Sequence, residues 1–196
     1  MKRNYNLEFN KIIKSINDRP KLLLQVCCAP CSSAVLERLS AFDTTLFYYN
    51  PNTYPETEYK LRAEQFSKLT KLPLIIPAYA HNEFLEEIKG FEQENEGGKR
   101  CEKCIALRLK KTFEYAKNNH YDYVTTTLSI SPHKNAEFIN SCGENLEKEF
   151  GIKFLVADFK KENGFLKSIK YSKELGLYRQ EYCGCEFSFS RDKKRL

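Results

Sequence analysis

The stretch Lys21-Leu22-Leu23-Leu24-Gln25-Val26, followed at once by Cys27-Cys28-Ala29-Pro30-Cys31-Ser32-Ser33, decides how the chain reads. A short apolar run ended by a turn is the pattern of a buried strand. Behind it Ala34-Val35-Leu36-Glu37-Arg38-Leu39 has helical spacing, with Pro30 and Ser32 among the first residues of the helix, where both are favoured. The alternation continues along the chain. Strands are predicted over residues 44–49, 73–79, 123–128 and 153–157, and helices over 56–69, 82–89, 102–118 and 134–150. Strands alternating with helices imply right-handed βαβ units, hence an α/β fold whose mostly parallel sheet is covered on both faces. Ligands bind beyond the carboxyl ends of the strands of such sheets. Cys27 and Cys28 stand at that edge.

Composition narrows the function. Eight cysteines in 196 residues are about 4% of the chain, below the ~8–10% that marks a short secreted disulfide scaffold. A chain this long buries a core without staples. With 41% hydrophobic, 13% aromatic and 30% charged residues it is neither disordered nor membrane-spanning. The first residues carry no apolar segment of a secretory leader, so a cytoplasmic location is expected. In a reducing compartment grouped cysteines bind metal or do redox chemistry more often than they form structural bridges. The formal charge of +6 suits a polyanionic partner without requiring one. No repeat, linker or low-complexity tract divides the chain. A single α/β metalloenzyme domain over 1–196 is expected, with a short N-terminal extension about 1–19 and a basic C-terminal tail about 190–196.

The cysteines fall into three groups and one singleton. Cys27, Cys28 and Cys31 sit where a phosphate-binding loop would lie, yet no glycine is present to let phosphate approach the backbone. The start of the following helix lowers thiol pKa instead, which favours anionic sulfur. Cys101-Glu102-Lys103-Cys104 opens a predicted helix, and residues three apart project from one face toward a common ligand. Cys183-Gly184-Cys185 leaves one residue between its sulfurs, so a bond across it is strained and easily reduced. Cys142 stands alone in a helix and reads as packing. Four thiolates suit structural zinc as well as an iron-sulfur cluster. Zinc ribbons space their knuckles by roughly 15–20 residues, whereas Cys31 and Cys101 are far apart in sequence. The thiols left over after four ligands favour a redox cluster.

Five strings then suggest a family. Cys27-Cys28-Ala29-Pro30-Cys31-Ser32; Tyr49-Asn50-Pro51-Asn52 with Pro55-Glu56-Thr57-Glu58-Tyr59; Cys101-Glu102-Lys103-Cys104 with Arg108-Leu109; residues 125–134 ending in Ser131-Pro132-His133-Lys134; and Tyr178-Arg179-Gln180-Glu181-Tyr182-Cys183-Gly184-Cys185 closely resemble the epoxyqueuosine reductases of the QueH type. The resemblance spans about residues 20 to 190. One departure is Gln25, where family members often carry His. The resemblance implies a Rossmann-like, adenine nucleotide hydrolase-like three-layer fold. It implies reduction of epoxyqueuosine at the wobble position of tRNA to queuosine, the last step of queuosine biosynthesis. It also implies a 4Fe-4S cluster on Cys27, Cys28, Cys101 and Cys104, a redox-active pair in Cys183 and Cys185, and an additional mononuclear iron near that pair.

Turning an epoxide into an alkene removes one oxygen as water and consumes two electrons and two protons. A Lewis-acidic iron would polarise the C–O bond, and His133, Tyr182 or Glu186 are candidate acids. For the tRNA, Lys99, Arg100, Lys103, Arg108, Lys110 and Lys111 surround the second cysteine group, and the tail ends in Arg191-Asp192-Lys193-Lys194-Arg195. Asn50, Asn52 and Tyr54, in the loop after strand two, are candidate substrate contacts together with Arg108 and His133. The expected partners are tRNA carrying epoxyqueuosine and an unidentified electron donor, with no membrane and a monomeric enzyme. The alternative is a zinc-stabilised RNA-binding module without catalysis. A thiol-disulfide oxidoreductase acting on proteins fits less well, because Cys27-Cys28-x-x-Cys31 occupies the place of a simple C-x-x-C.

Overall fold

A computed structural model describes residues 3–188 of the protein. Five parallel strands form one sheet in the order β3-β2-β1-β4-β5: β1 Lys21–Gln25, β2 Asp43–Phe47, β3 Leu74–Ile75, β4 Tyr123–Thr126 and β5 Lys153–Phe154. The helices between them are α1 Tyr5–Ser15, α2 Ala29–Leu36, α3 Glu56–Glu64, α4 Phe66–Leu69, α5 His81–Glu87, α6 Lys99–Asn118, α7 Ala136–Phe150 and α8 Gly164–Glu174. This is a Rossmann-like three-layer α/β fold.

The continuous apolar run of β1 follows from burial on both faces. Leu22 and Leu24 point to one core, with Phe9 of α1, Val35 of α2 and Phe66 of α4. Leu23 points to the other, with Ile105, Leu109 and Phe113 of α6 and Ile139 of α7. The 105, 109, 113, 116 spacing lays one side of α6 along the sheet. Residues 5–15 of the expected extension form α1, capped by the Asn4 side chain and anchored by Tyr5 and Phe9.

Four strands end earlier than the sequence predicts, β2 and β4 by two residues and β3 and β5 by more, the last two for reasons of hydrogen bonding. At the β3 edge, Pro73 and Pro77 flank the ladder and donate nothing to it. Past β5, the ladder gives way to a side chain. The Ala157 N–H donates to Asn140 Oδ1 at 2.9 Å, and Asn140 Nδ2 donates to the Ala157 carbonyl at 3.0 Å.

After β1 the chain builds outward through β2 and β3, then returns to place β4 on the other side of β1. The switch point therefore lies between the carboxyl ends of β1 and β4, where a ligand crevice is expected. No helix among the described residues is long and apolar enough to cross a membrane. The expected tail, with Arg191 to Arg195, lies outside the described residues.

Replacing Leu23, fully buried in the centre of the sheet, by Ala should lower unfolding stability by about 3 kcal/mol. An unchanged denaturation midpoint would show that the α6–α7 face does not depend on this contact.

Candidate active site

The switch point is held by side-chain amides. Gln25, at the end of β1, is fully buried. Its Nε2 donates to the carbonyls of Val26 and Tyr49 and to Asn50 Oδ1, at 3.3, 3.2 and 3.3 Å, while its Oε1 accepts from the Thr126 hydroxyl at 2.7 Å. Asn50 Nδ2 donates to the Val26 carbonyl at 2.9 Å, and its Oδ1 also accepts from Arg108 Nη2. Gln25 thus ties together the ends of β1, β2 and β4.

Directly after this bracket come Cys27 and Cys28, the latter also the N-cap of α2, with its sulfur 3.4 Å from the Cys31 N–H. The sulfurs of Cys27, Cys28 and Cys31 lie within 4.8 Å of one another, close enough to hold one metal centre. Gln180 Nε2 donates to the Cys28 sulfur at 3.2 Å, and the Cys27 N–H donates to Thr127 Oγ1 at 3.1 Å. The Cys28 and Cys31 thiols, with the Arg108 charge nearby, hold the Cys27 pKa well below the ordinary thiol value against burial. Interaction with that thiolate pushes Cys28 up to about 12 and raises Cys31 as well.

The second group reaches the same edge because α6 runs back toward the start of β4, which puts its first two turns, with Cys101 and Cys104, at the carboxyl end of the sheet. The loop before it is tied down by Arg100, which is buried and donates to the carbonyls of Glu92 and Glu94. The Gly97 N–H donates to the Cys101 sulfur at 3.2 Å. Burial, reinforced by Cys183, Cys185 and Cys101, pushes Cys104 up to about 12.

The third group lies across both. Cys101, Cys104, Cys183 and Cys185 line one small cavity of about 40 Å³. Cys27, Cys31 and Cys183 line an adjoining one of about 630 Å³. Cys183, Asn52, Arg108, His133 and Lys134 belong to both walls. Six of the eight cysteines therefore line this pair of cavities; Cys28 is buried beside Cys27, its sulfur 3.9 Å away, and Cys142 packs beside the second core, its pKa pushed up to about 11 by burial. All eight are free thiols.

Of the other candidates, Asn50, Asn52, Arg108 and His133 line the large cavity, and Tyr54 does not. Tyr54 is exposed and meets the His81 ring. The Tyr182 hydroxyl donates to the Tyr54 carbonyl at 2.6 Å, and burial raises its pKa to about 12. Glu186 lies 3.6 Å from His81 Nε2 and lines neither cavity. The basic stretch of α6 is only in part the open phosphate surface that the sequence suggests: Lys99 and Lys110 are exposed, and the others are buried or paired. Arg100 and Arg108 are 1% and 3% exposed, Lys103 pairs with Glu87 at 3.3 Å and Lys111 with Glu83 at 3.0 Å.

Two residues whose roles the sequence did not mark hold the third group. Lys134 Nζ donates to the Cys183 sulfur at 3.4 Å. Burial opposes its charge, but Cys183 and Cys27 outweigh that and raise its pKa above the ordinary lysine value. Arg62, four residues after Glu58 on α3, pairs with it at 2.7 Å and donates to the Cys183 carbonyl at 3.2 Å. Its guanidinium also covers the Tyr182 ring, 5.0 Å from the centroid. Gly184 has φ of 131°, and a Cβ there would stand 3.0 Å from Arg62 Nη1. Only glycine suits that turn.

The family described as "Epoxyqueuosine reductase QueH" matches residues 22–191. This chain belongs to the QueH family. Relatives named epoxyqueuosine reductase QueH include one from Streptococcus pyogenes serotype M1, 36% identical over 96% of this chain and 80% of its own length. Another from Thermotoga maritima is 34% identical over 89% of this chain and 93% of its own. A third from Haemophilus influenzae is 38% identical over 89% and 74%. The protein is thus an oxidoreductase of a queuosine-forming family, and the non-catalytic zinc module is set aside.

Replacing Arg62 by Met should free the Cys183-Gly184-Cys185 turn and raise the rate at which iodoacetamide alkylates Cys183 in metal-free protein by about tenfold, read by mass spectrometry; Glu58→Gln should do so less. That expectation follows from losing a charge-assisted hydrogen bond of about 1.5–3 kcal/mol. Unchanged alkylation would mean that the turn holds itself.

Proposed function

We propose that this protein reduces epoxyqueuosine at the wobble position of tRNA to queuosine, as a cytoplasmic monomer supplied by an unidentified electron donor. The observation that carries this reading is the gathering of three cysteine groups around adjoining cavities at the switch point, in a chain of the QueH family.

The donors fit an iron-sulfur centre: soft thiols from two helix starts, one pair with sulfurs 3.9 Å apart. We assign Cys27, Cys28, Cys101 and Cys104 as ligands of a 4Fe-4S cluster, with Cys31 the further thiol within reach. When bound, the cluster supplies electrons one at a time, and a mononuclear iron near Cys183 and Cys185 would supply Lewis acidity to the epoxide oxygen. The protein's own groups do the rest. Cys183 and Cys185 as a dithiol hold two electrons and two protons, the number that conversion of the epoxide to alkene and water consumes. Their oxidation to a disulfide balances the step, and the strain of a Cys-Gly-Cys ring favours its return to dithiol. Lys134 Nζ, hydrogen-bonded to the Cys183 sulfur, holds that thiol in place on the cavity wall. Asn52 presents a buried, unpartnered Oδ1 on the cavity wall and suits a donor group of the substrate.

His133 is the best placed of the three candidate acids. It is exposed and belongs to both cavity walls, whereas the Tyr182 proton is already given to Tyr54 and Glu186 stands outside. We assign it the protonation of the leaving oxygen.

Incubation of anaerobically prepared protein with epoxyqueuosine-containing tRNA and a reductant should yield queuosine, read by nucleoside mass spectrometry. Absence of product from protein with full iron and sulfide content would contradict the assignment. Cys183→Ser should abolish turnover while leaving visible absorption largely intact. His133→Ala should lower kcat about 100-fold at unchanged iron content.

A further inference from the structure

On α6, Arg100 and Arg108 are buried, Lys103 and Lys111 are paired with glutamates, and the exposed Lys99 and Lys110 line neither cavity, so an RNA contact at the active site needs another basis. On the wall of the large cavity, Arg62 is paired with Glu58 and Arg108 is buried against Asn50. Arg179 differs from both. It is half-buried, no ion pair with a carboxylate holds it among the described residues, and its hydrogen bonds are long: Nη1 to the Ser168 carbonyl at 3.5 Å and to Ser172 Oγ at 3.4 Å. Its guanidinium lies over the Phe165 ring, 5.3 Å from the centroid. Both residues line the cavity that contains Cys27, Cys31 and Cys183.

The ring is held there by the start of α8. At Gly164 a Cβ would stand 1.9 Å from the Phe159 carbonyl oxygen, so the chain passes this point only as glycine and delivers Phe165 to the wall. On the same helix Leu166 and Ile169 are 62% and 40% exposed. Single-stranded RNA is bound by splaying bases onto aromatic rings and arginine planes while cations take the adjacent phosphates. A half-buried ring under a weakly held guanidinium beside a nucleoside-sized cavity offers both. Glu96 and Glu181 share the wall, which confines the attraction to one spot and does not make a broad phosphate trough.

We propose that Phe165 and Arg179 bind one nucleotide of the anticodon loop next to the reacting base, the base stacked on the Phe165–Arg179 surface and its phosphate on the Arg179 guanidinium. The inference rests on the reading above that the substrate is tRNA, and it adds the residues that hold the loop in place.

The test titrates the full-length protein with a fluorescent anticodon stem-loop RNA bearing guanine at the first anticodon position, over a range of salt concentrations. Arg179→Ala should weaken binding about tenfold at low salt and make the slope of log K against log salt shallower by about 0.7, the contribution of one single-strand phosphate contact. Arg179→Lys should retain the slope. Phe165→Ala should weaken binding about tenfold at unchanged slope, and Phe165→Tyr should bind like the wild type. Melting temperature and Cys183 alkylation should stay at wild-type values; Phe165→Leu, which keeps bulk without a ring, replaces Phe165→Ala if that variant fails to fold. Wild-type affinity and slope in the Arg179 and Phe165 variants would overturn the proposal and leave the tRNA reading intact. Failure of the wild type itself to bind the RNA would contradict the tRNA reading, and the proposal with it.

Discussion

Three strand ends must meet before any of the chemistry can be assembled, and the buried amide of Gln25 is what joins them. It bonds to the backbone after β1 and after β2 and to the Thr126 hydroxyl of β4. An amide can donate and accept at once, which lets one side chain satisfy groups from both sides of the central strand. Where β1 and β4 part, Cys27 and Cys28 leave the sheet on one side and Thr127 on the other, still within hydrogen-bond distance. The loop from Asn50 is fixed by the same network. Gly184 is then held through its carbonyl, which accepts from the Tyr54 N–H at 2.9 Å. The cysteine groups, distant in sequence, are brought together by strand ends and helix starts, which are more rigid supports than free loops.

Charge explains which side chains surround them. An ionised thiol is costly to bury without compensation. Arg108 and Lys134 lie between the two cavities and supply positive charge where burial is greatest. Arg62 serves another end, since Glu58 neutralises it and its remaining N–H groups grip the Cys183 backbone. The division is between cations that stabilise sulfur, a cation that fixes a turn, and Arg179, which has neither duty. A sequence shows these residues only as basic. Burial and partners separate their roles.

Much of the architecture was legible because β1 carries an uninterrupted apolar run and α6 a regular apolar spacing, both direct consequences of burial. The cysteine spacings announced sulfur chemistry, and their order matched a family. The end of β5 was not legible, because Asn140 replaces the ladder by a contact made 17 residues away in sequence, whereas Pro73 and Pro77, which bound β3, stand in the sequence itself. Arg100 and Arg108 looked like phosphate ligands because side-chain burial is a tertiary property. Arg62 was in plain view four residues after Glu58, a spacing common on exposed helices, and only the return of residues 178–185 over α3 gives the pair its function. The spacing of Cys31 alone does not separate a ligand from a thiol behind the ligands or from packing. Its sulfur proves to lie with those of Cys27 and Cys28.

The central claim is that the thiols from β1–α2 and from α6 hold one redox centre in common. Iron and acid-labile sulfide, measured per chain in anaerobically prepared wild type and in the separate Cys27→Ser and Cys101→Ser variants, test it most directly. The account predicts iron with sulfide and visible absorption in the wild type, and loss of all three in either variant. Stoichiometric zinc without sulfide, or a cluster retained in full when either group is broken, would contradict it.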